Sequence, residues 1–183
     1  MSMLESVPLE EAKEQVAKVC SRLALLHLAF AETLVEELGE EKGTQLVLKA
    51  IKRYGMDIGN QAKERAREFG LDNKPENYKE DLPFYGMHES TENIVVGGII
   101  RTRAYGCVMG KLWKKLNKDK LGRLYCYVDV AKYMAFNSNY KMVHLKSLPD
   151  GDEYCEFCVL PTTNEDKRNF DDNNKDWRYI DRP

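Results

Sequence analysis

Nothing in this sequence is long and apolar enough to span a bilayer. A spanning helix needs about 20 consecutive apolar residues, and the longest run, around Leu23 to Phe30, is broken by His27. An excess of either charge is missing too. The 28 Lys and Arg face 30 Asp and Glu, a formal charge of −2 with a pI near 6.0. A dedicated nucleic-acid binder normally carries a basic excess or stripe, so neither nucleic acid nor a membrane is an expected partner. There is no HExxH helix, GxSxG elbow, phosphate loop or dinucleotide fingerprint. There is no internal repeat and no long low-complexity segment. The opening Met-Ser-Met-Leu-Glu-Ser lacks the basic region and apolar core of a secretory leader. Five cysteines, at positions 20, 107, 126, 155 and 158, make an odd number. The expectation is therefore a cytoplasmic chain with reduced thiols, available for chemistry or metal but not for a disulfide framework.

With 43% hydrophobic and 32% charged residues the composition is that of a folded chain, not a disordered one. Its 183 residues suit a single domain over 1–183, with a helical part at about 8–70, an α+β part at about 71–160 and a polar tail at about 161–183. Val16, Cys20, Leu23, His27, Phe30 and Leu34 recur at helical spacing and predict a helix from Pro8 to Leu38, stopped by Gly39. A second helix from about Lys42 to Phe69 carries Val47, Ile51, Tyr54, Ile58, Ala62, Ala66 and Phe69 as its stripe. Gly55 and Gly59 sit one turn apart on it, each costing up to roughly 1 kcal/mol relative to Ala. Two such costs on one flank point to a tight helix crossing or a ligand. Residues 71–91 read as a loop with a helical turn near Glu76 to Asp81. Ile94 to Ile100 reads as one strand, with Gly97-Gly98 as a bulge. Cys107 to Leu116 predicts a short helix, and Tyr125 to Phe136 another that ends at Asn137.

Leu148-Pro149-Asp150-Gly151-Asp152 supplies the residues of a hairpin turn. Pairing Leu148 with Asp152 sets Leu145 opposite Cys155 and Val143 opposite Phe157. That register puts Val143, Leu145, Cys155, Phe157 and Val159 on one apolar face and leaves His144 opposite Glu156 on the other. The fold class expected is α+β, long N-terminal helices packed on a small, mainly antiparallel sheet ending in a hairpin near 140–160.

In a strand, Cys155 and Cys158 point to opposite faces, so their CxxC spacing is a poor metal or redox pair. Cys107 follows a strand and Gly106 where a helix begins, and a helix N-terminus favours a thiolate. Arg101 and Arg103 precede it. An isolated cysteine is equally a small buried hydrophobe. Cys126 and Asp129 share one face if the helix runs through both. That places a thiol beside a carboxylate, although the Asp also suits a cap. His27 on the apolar stripe suits a core histidine bonded to a carbonyl. His88, in Tyr85-Gly86-Met87-His88-Glu89, is placed to reach a pocket, and His144 suits a cross-strand pair.

Taken in order, Arg53-Tyr54-Gly55-(three residues)-Gly59, Cys107, Tyr125-Cys126-(two residues)-Asp129, Phe136-Asn137 and Lys146-Ser147-Leu148-(two residues)-Gly151-Asp152-(two residues)-Cys155-(one residue)-Phe157 form a recognisable set. Over about residues 45 to 160 it resembles the L-2-amino-thiazoline-4-carboxylic acid hydrolase family. Members often carry Pro after the Phe-Asn pair where this chain has Ser138, so the loop there is expected to differ. The resemblance implies hydrolytic opening of a cyclic isothiourea to an N-carbamoyl-cysteine, with a small-molecule substrate and no redox cofactor. Such a reaction needs a nucleophile, an acid for the departing sulfur and a cation for the substrate carboxylate. Cys107 or Cys126 is the candidate nucleophile and Asp129 the proton or amidine group. Arg101 or Arg103 is the carboxylate grip, and Asn137 and His88 are further substrate contacts. Asp152 is expected to fix the hairpin turn instead. The Gly-Asp-(two residues)-Cys-(one residue)-Phe ending also resembles the small-ligand domain named for bacteriochlorophyll 4-vinyl reductase. That likeness implies the alternative, a binding module without turnover for a small molecule or for zinc held by Cys107, Cys126, Cys155 and a histidine. No metal is expected on the leading reading. A homo-oligomer is expected if the first helix exposes an apolar stripe.

Overall fold

The computed structural model describes residues 6–79, 82–83, 85–173 and 175–183. Five of the six residues read for a leader (1–5) and the far end of the expected helical turn (Glu80 and Asp81) lie outside them. A 3-10 turn forms at Pro75–Asn77.

Two long helices open the chain, α1 (Leu9–Leu38) and α2 (Glu40–Glu68), joined only by Gly39 at φ 80°. The buried face of α1 is Cys20, Ala24, His27, Leu28 and Ala31, whereas Phe30 is 65% exposed. Phe30 does not face the core as expected. The close contact is made through two alanines instead, and the Trp113 indole N–H donates to the Ala24 carbonyl at 3.3 Å. On α2 the stripe runs Val47, Ile51, Gly55, Gly59, Ala62 and Ala66, with Tyr54 and Phe69 turned outward. The two glycines are the seat of a helix crossing. A Cβ on Gly55 would lie 2.6 Å from Ala131 Cβ, and one on Gly59 would lie 2.9 Å from Ala135 Cβ.

The sheet has four antiparallel strands in the order β1-β2-β4-β3, from β1 (Ser90–Val96), β2 (Ile99–Tyr105), β3 (Tyr140–Lys146) and β4 (Cys155–Pro161). The run expected as one bulged strand is a hairpin. Gly97 and Gly98 are its turn, with φ 57° and 80°, the double positive φ that a two-residue hairpin turn needs.

The second hairpin is present with a different register. Val143 pairs with Cys158 and His144 with Phe157, then a bulge at Leu145 brings Lys146 opposite Glu156. The cause is in the connection. Leu148–Asp150 forms a 3-10 turn closed by Gly151 at φ 100°, and Ser147 N–H donates to Asp152 Oδ2 at 2.8 Å. One residue is absorbed in the bulge, so every side chain beyond it changes face relative to the simple turn. His144 thereby joins the face of Phe157, their rings 5.6 Å apart, and does not pair with Glu156.

Between the sheet halves run α3 (Val108–Lys115), α4 (Asp119–Cys126) and α5 (Val128–Phe136). The helix expected over Tyr125–Phe136 is broken at Tyr127, so Cys126 closes one helix and Asp129 opens the next. The polar tail holds α6 (Asn164–Asp171), capped reciprocally by Thr163 and Asp166. Its Phe170, Trp177 and Ile180 are buried in the cluster of Ala31, Val47, Leu48 and Val130.

Candidate active site

The ends of β2 and α4 and the starts of β4 and α5 meet at one place, and three of the five cysteines lie there. Gly106 at φ 66° turns the chain from β2 into α3 and leaves Cys107 as the N-cap, its Sγ accepting from Gly110 N–H at 3.5 Å. Cys107 packs on one side against Ala104, Leu148 and Cys155, and on the other against the Met109 and Trp113 cluster that also holds Cys126. Only Cys107 and Cys126 among the five are partly exposed; Cys20, Cys155 and Cys158 are buried.

All three thiols at this place are held protonated. Burial pushes Cys126 well above its ordinary range against the pull of Arg123. Burial also raises Cys107, opposed by the Gly110 and Met109 N–H groups and by Lys111. Cys155 is pushed up to about 11 by burial. Its sulfur accepts from Leu148 N–H at 3.4 Å, a structural role.

Asp129 stands among these thiols and acts electrostatically on Cys107, Cys126 and Cys155. Burial works to raise its carboxyl, but Lys132 and His144 overcome that and hold it below the ordinary range. Lys132 Nζ lies 2.8 Å from Asp129 Oδ1, and His144 Nε2 lies 3.5 Å from Oδ2. His144 Nδ1 donates to Asp181 Oδ1 at 2.9 Å, since a carboxylate can only accept. The same oxygen takes the His144 backbone N–H, and Arg123 bonds the other oxygen of Asp181. Acid and base thus alternate from Arg123 through Asp181, His144 and Asp129 to Lys132.

Two polar atoms at this place are buried with no hydrogen-bond partner among the described residues: His88 Nδ1 and Arg123 Nη1. Such atoms are costly unless a ligand or water completes them. Both groups lie within electrostatic reach of Asp129. Burial lowers His88 below the ordinary imidazole value, with Asp129 working the other way. The loop of His88 is clamped to the start of α3 by Val108 N–H bonded to the Met87 carbonyl at 3.0 Å. A groove of about 580 Å³ opens there, lined by Lys13, Tyr85, His88, Glu89, Gly106 and Lys111 among others.

The structure does not bring the other expected contacts here. Arg101 and Arg103 lie on the opposite face of the sheet, where both bond the buried Glu156 at 2.9 Å. Asn137 closes the α5–β3 turn, donating to the Asn73 carbonyl and accepting from Asn139 N–H. His27 bonds the Leu121 carbonyl at 2.8 Å inside the core. Among the described residues no group of three or more His, Cys, Asp or Glu side chains is arranged to hold a metal ion. Sequence reasoning missed Arg123, Lys132 and Asp181. Arg123 had a signal in lying one helical turn before Cys126; Asp181, far along the chain, had none.

A family model described as L-2-amino-thiazoline-4-carboxylic acid hydrolase matches residues 18–159. The chain belongs to that family. The match takes in Cys107, Arg123, Cys126, Asp129 and His144, while Asp181 lies beyond it. No curated protein and no solved structure matches the chain. Among the described residues, no helix is long and apolar enough to cross a membrane.

Proposed function

We propose that this chain hydrolyses a cyclic isothiourea carboxylate of the L-2-amino-thiazoline-4-carboxylate type, with Cys107 as the nucleophile and His88 as its base. Family membership supports the reaction class. The observation that carries the mechanism is the pair of buried, unpartnered groups, His88 Nδ1 and Arg123 Nη1, around thiols that burial keeps protonated. A protonated thiol needs a base beside it. His88, neutral at pH 7 because burial lowers it, has a ring nitrogen free for the purpose.

His88 takes the Cys107 proton, and the sulfur adds to the ring carbon between nitrogen and sulfur. That carbon's bond to the ring sulfur breaks, and the departing thiolate receives the proton from His88. The carbon is now held on Cys107 as an S-linked isothiourea. Water, deprotonated by His88, adds to it; the bond to Cys107 breaks, and the thiol is restored with that proton. One water is consumed, and an N-carbamoyl-cysteine is released. Asp129 holds the positive amidine, and the spare Arg123 N–H takes the substrate carboxylate.

Cys107 is preferred over Cys126 because the N–H groups of Gly110 and Met109 ease its ionisation, whereas Cys126 has only the Arg123 charge, shared with Asp181. The test is incubation with L-2-amino-thiazoline-4-carboxylate and chromatographic measurement of N-carbamoyl-cysteine. Cys107→Ala should lower kcat by about 1,000-fold or more, as loss of a nucleophile does, while circular dichroism stays unchanged. Full rate in both Cys107→Ala and Cys126→Ala would end the thiol mechanism.

A further inference from the structure

Ser147 carries a hydroxyl that the proposed reaction leaves unused. The residue is 1% exposed, and its Oγ has no hydrogen-bond partner among the described residues. A buried hydroxyl in that state calls for a partner from outside the chain, a ligand or a water. The rest of the residue is fully engaged. Its N–H donates to Asp152 Oδ2 at 2.8 Å, and its carbonyl accepts from the N–H groups of Asp150 at 2.9 Å and Asp152 at 3.3 Å. The turn is therefore closed without the hydroxyl.

The backbone decides which way the hydroxyl faces. Ser147 is extended, at φ −145° and ψ 126°, and follows Lys146, which pairs with Glu156 on the face of Arg101 and Arg103. Successive residues of extended chain face opposite ways. Ser147 thus shares the face of Cys155, Phe157 and His144, whose ring lies against Asp129 in the candidate active site. The guanidinium of Arg123 holds this segment at both ends. It bonds Asp150 directly, Nε to Oδ2 at 2.8 Å, and it reaches the backbone N–H of His144 through Asp181. Ser147 stands three residues from each of these anchors, and the unpaired Nη1 belongs to the same guanidinium.

An N–H and an O–H left over at one anchored segment are both met by a single group with two acceptor oxygens. We propose that Ser147 Oγ is the second donor to the substrate carboxylate, beside Arg123 Nη1. The proposal rests on reading the chain as a hydrolase of cyclic isothiourea carboxylates. A neutral donor matters here because the Arg123 charge is already divided between Asp150 and Asp181. The hydroxyl strengthens the grip without a further charge, and it makes the site select substrates that carry a carboxylate.

The test compares kcat and KM for L-2-amino-thiazoline-4-carboxylate with those for 2-amino-thiazoline, which lacks the carboxylate. The wild type should prefer the carboxylate. Ser147→Ala should narrow that preference in kcat/KM by about tenfold or more, chiefly through KM, as loss of a hydrogen bond to a charged group does. Its urea midpoint should not fall, since the hydroxyl holds nothing in the free protein. Calorimetric titration with the aromatic analogue 2-aminothiazole-4-carboxylate reads the same contact without turnover, and Ser147→Ala should weaken its binding by a similar factor. If the analogue behaves so but neither thiazoline is opened, the hydrolase reading fails and the carboxylate contact stands. If the thiazolines are opened but Ser147→Ala keeps the full preference, or its midpoint falls along with both rates, the contact is wrong and the hydrolase reading stands. An analogue bound equally well by wild type and Ser147→Ala, or by neither, also overturns the contact.

Discussion

A buried imidazole titrates below an exposed one because its charged form loses hydration, and a nearby carboxylate returns only part of that loss. His88 is in this position, its ordinary value of 6.5 lowered by burial and partly restored by Asp129. As a base it must be neutral, so the proposed reaction stays active to lower pH than an exposed histidine would allow. The acid limb of kcat/KM should be half complete below pH 6.5 and should disappear in His88→Gln along with most of the rate. A limb centred above that value takes the base role from His88. The Cys107 thiol adds no acid limb, since its proton is removed within the catalytic step. The sequence showed the candidates Cys107, Cys126, Asp129 and His88 because their residue types advertise chemistry. It did not show that Arg101 and Arg103 are engaged elsewhere. Alternation puts both on one face of β2, and the carboxylate that holds them, Glu156, is more than fifty positions further on.

At the scale of elements, close approach is what glycine in a helix makes possible. The crossing of α2 with α5 brings the backbone of Lys132 against Gly59 so closely that a methyl group has no room there. Gly59→Ala gains helix propensity of up to about 1 kcal/mol but must push the helices apart, and overpacking typically costs about 1–3 kcal/mol. The second effect should prevail. Urea denaturation is expected to show net destabilisation of Gly59→Ala, whereas an unchanged or raised midpoint would mean that the crossing can shift without penalty. The helices α1 and α2 were legible because periodicity repeated over many turns. The late hairpin was legible as a turn between two strands, less so in its register, whereas the first hairpin read as one bulged strand. Gly97-Gly98 suits either a bulge or a two-residue turn, and which one forms depends on whether the following residues, Ile99 to Tyr105, find a partner strand. The register of β3 on β4 depended on a bulge at Leu145 that no turn residue announces.

On the scale of the whole molecule, the tail returns from beyond the matched span and places Asp181, 2% exposed, between His144 and Arg123. Removing one partner of a buried charge network leaves the others uncompensated, at a cost of about 3–5 kcal/mol. Asp181→Asn keeps the size and part of the hydrogen bonding, so a loss of roughly 2–4 kcal/mol in urea unfolding is expected. Catalysis should fall as well, because His144 would no longer be oriented toward Asp129. Native stability and rate in Asp181→Asn would show that the tail merely covers the core.

By itself the sequence determined the α+β class, the two long helices, the position of the late hairpin and a short set of reactive residues. These follow from local rules: apolar periodicity, turn chemistry and the ionisation of particular side chains. Only the tertiary structure decided which of those residues share a site. Cys107, Cys126 and Asp129 meet because the ends of β2 and α4 and the start of α5 converge at one point, and His144 joins them because a bulge reverses its face. Arg123, Lys132 and Asp181 were chosen by proximity in space. Electrostatic partners are set by distances across a packed core, and those depend on every element being in place at once.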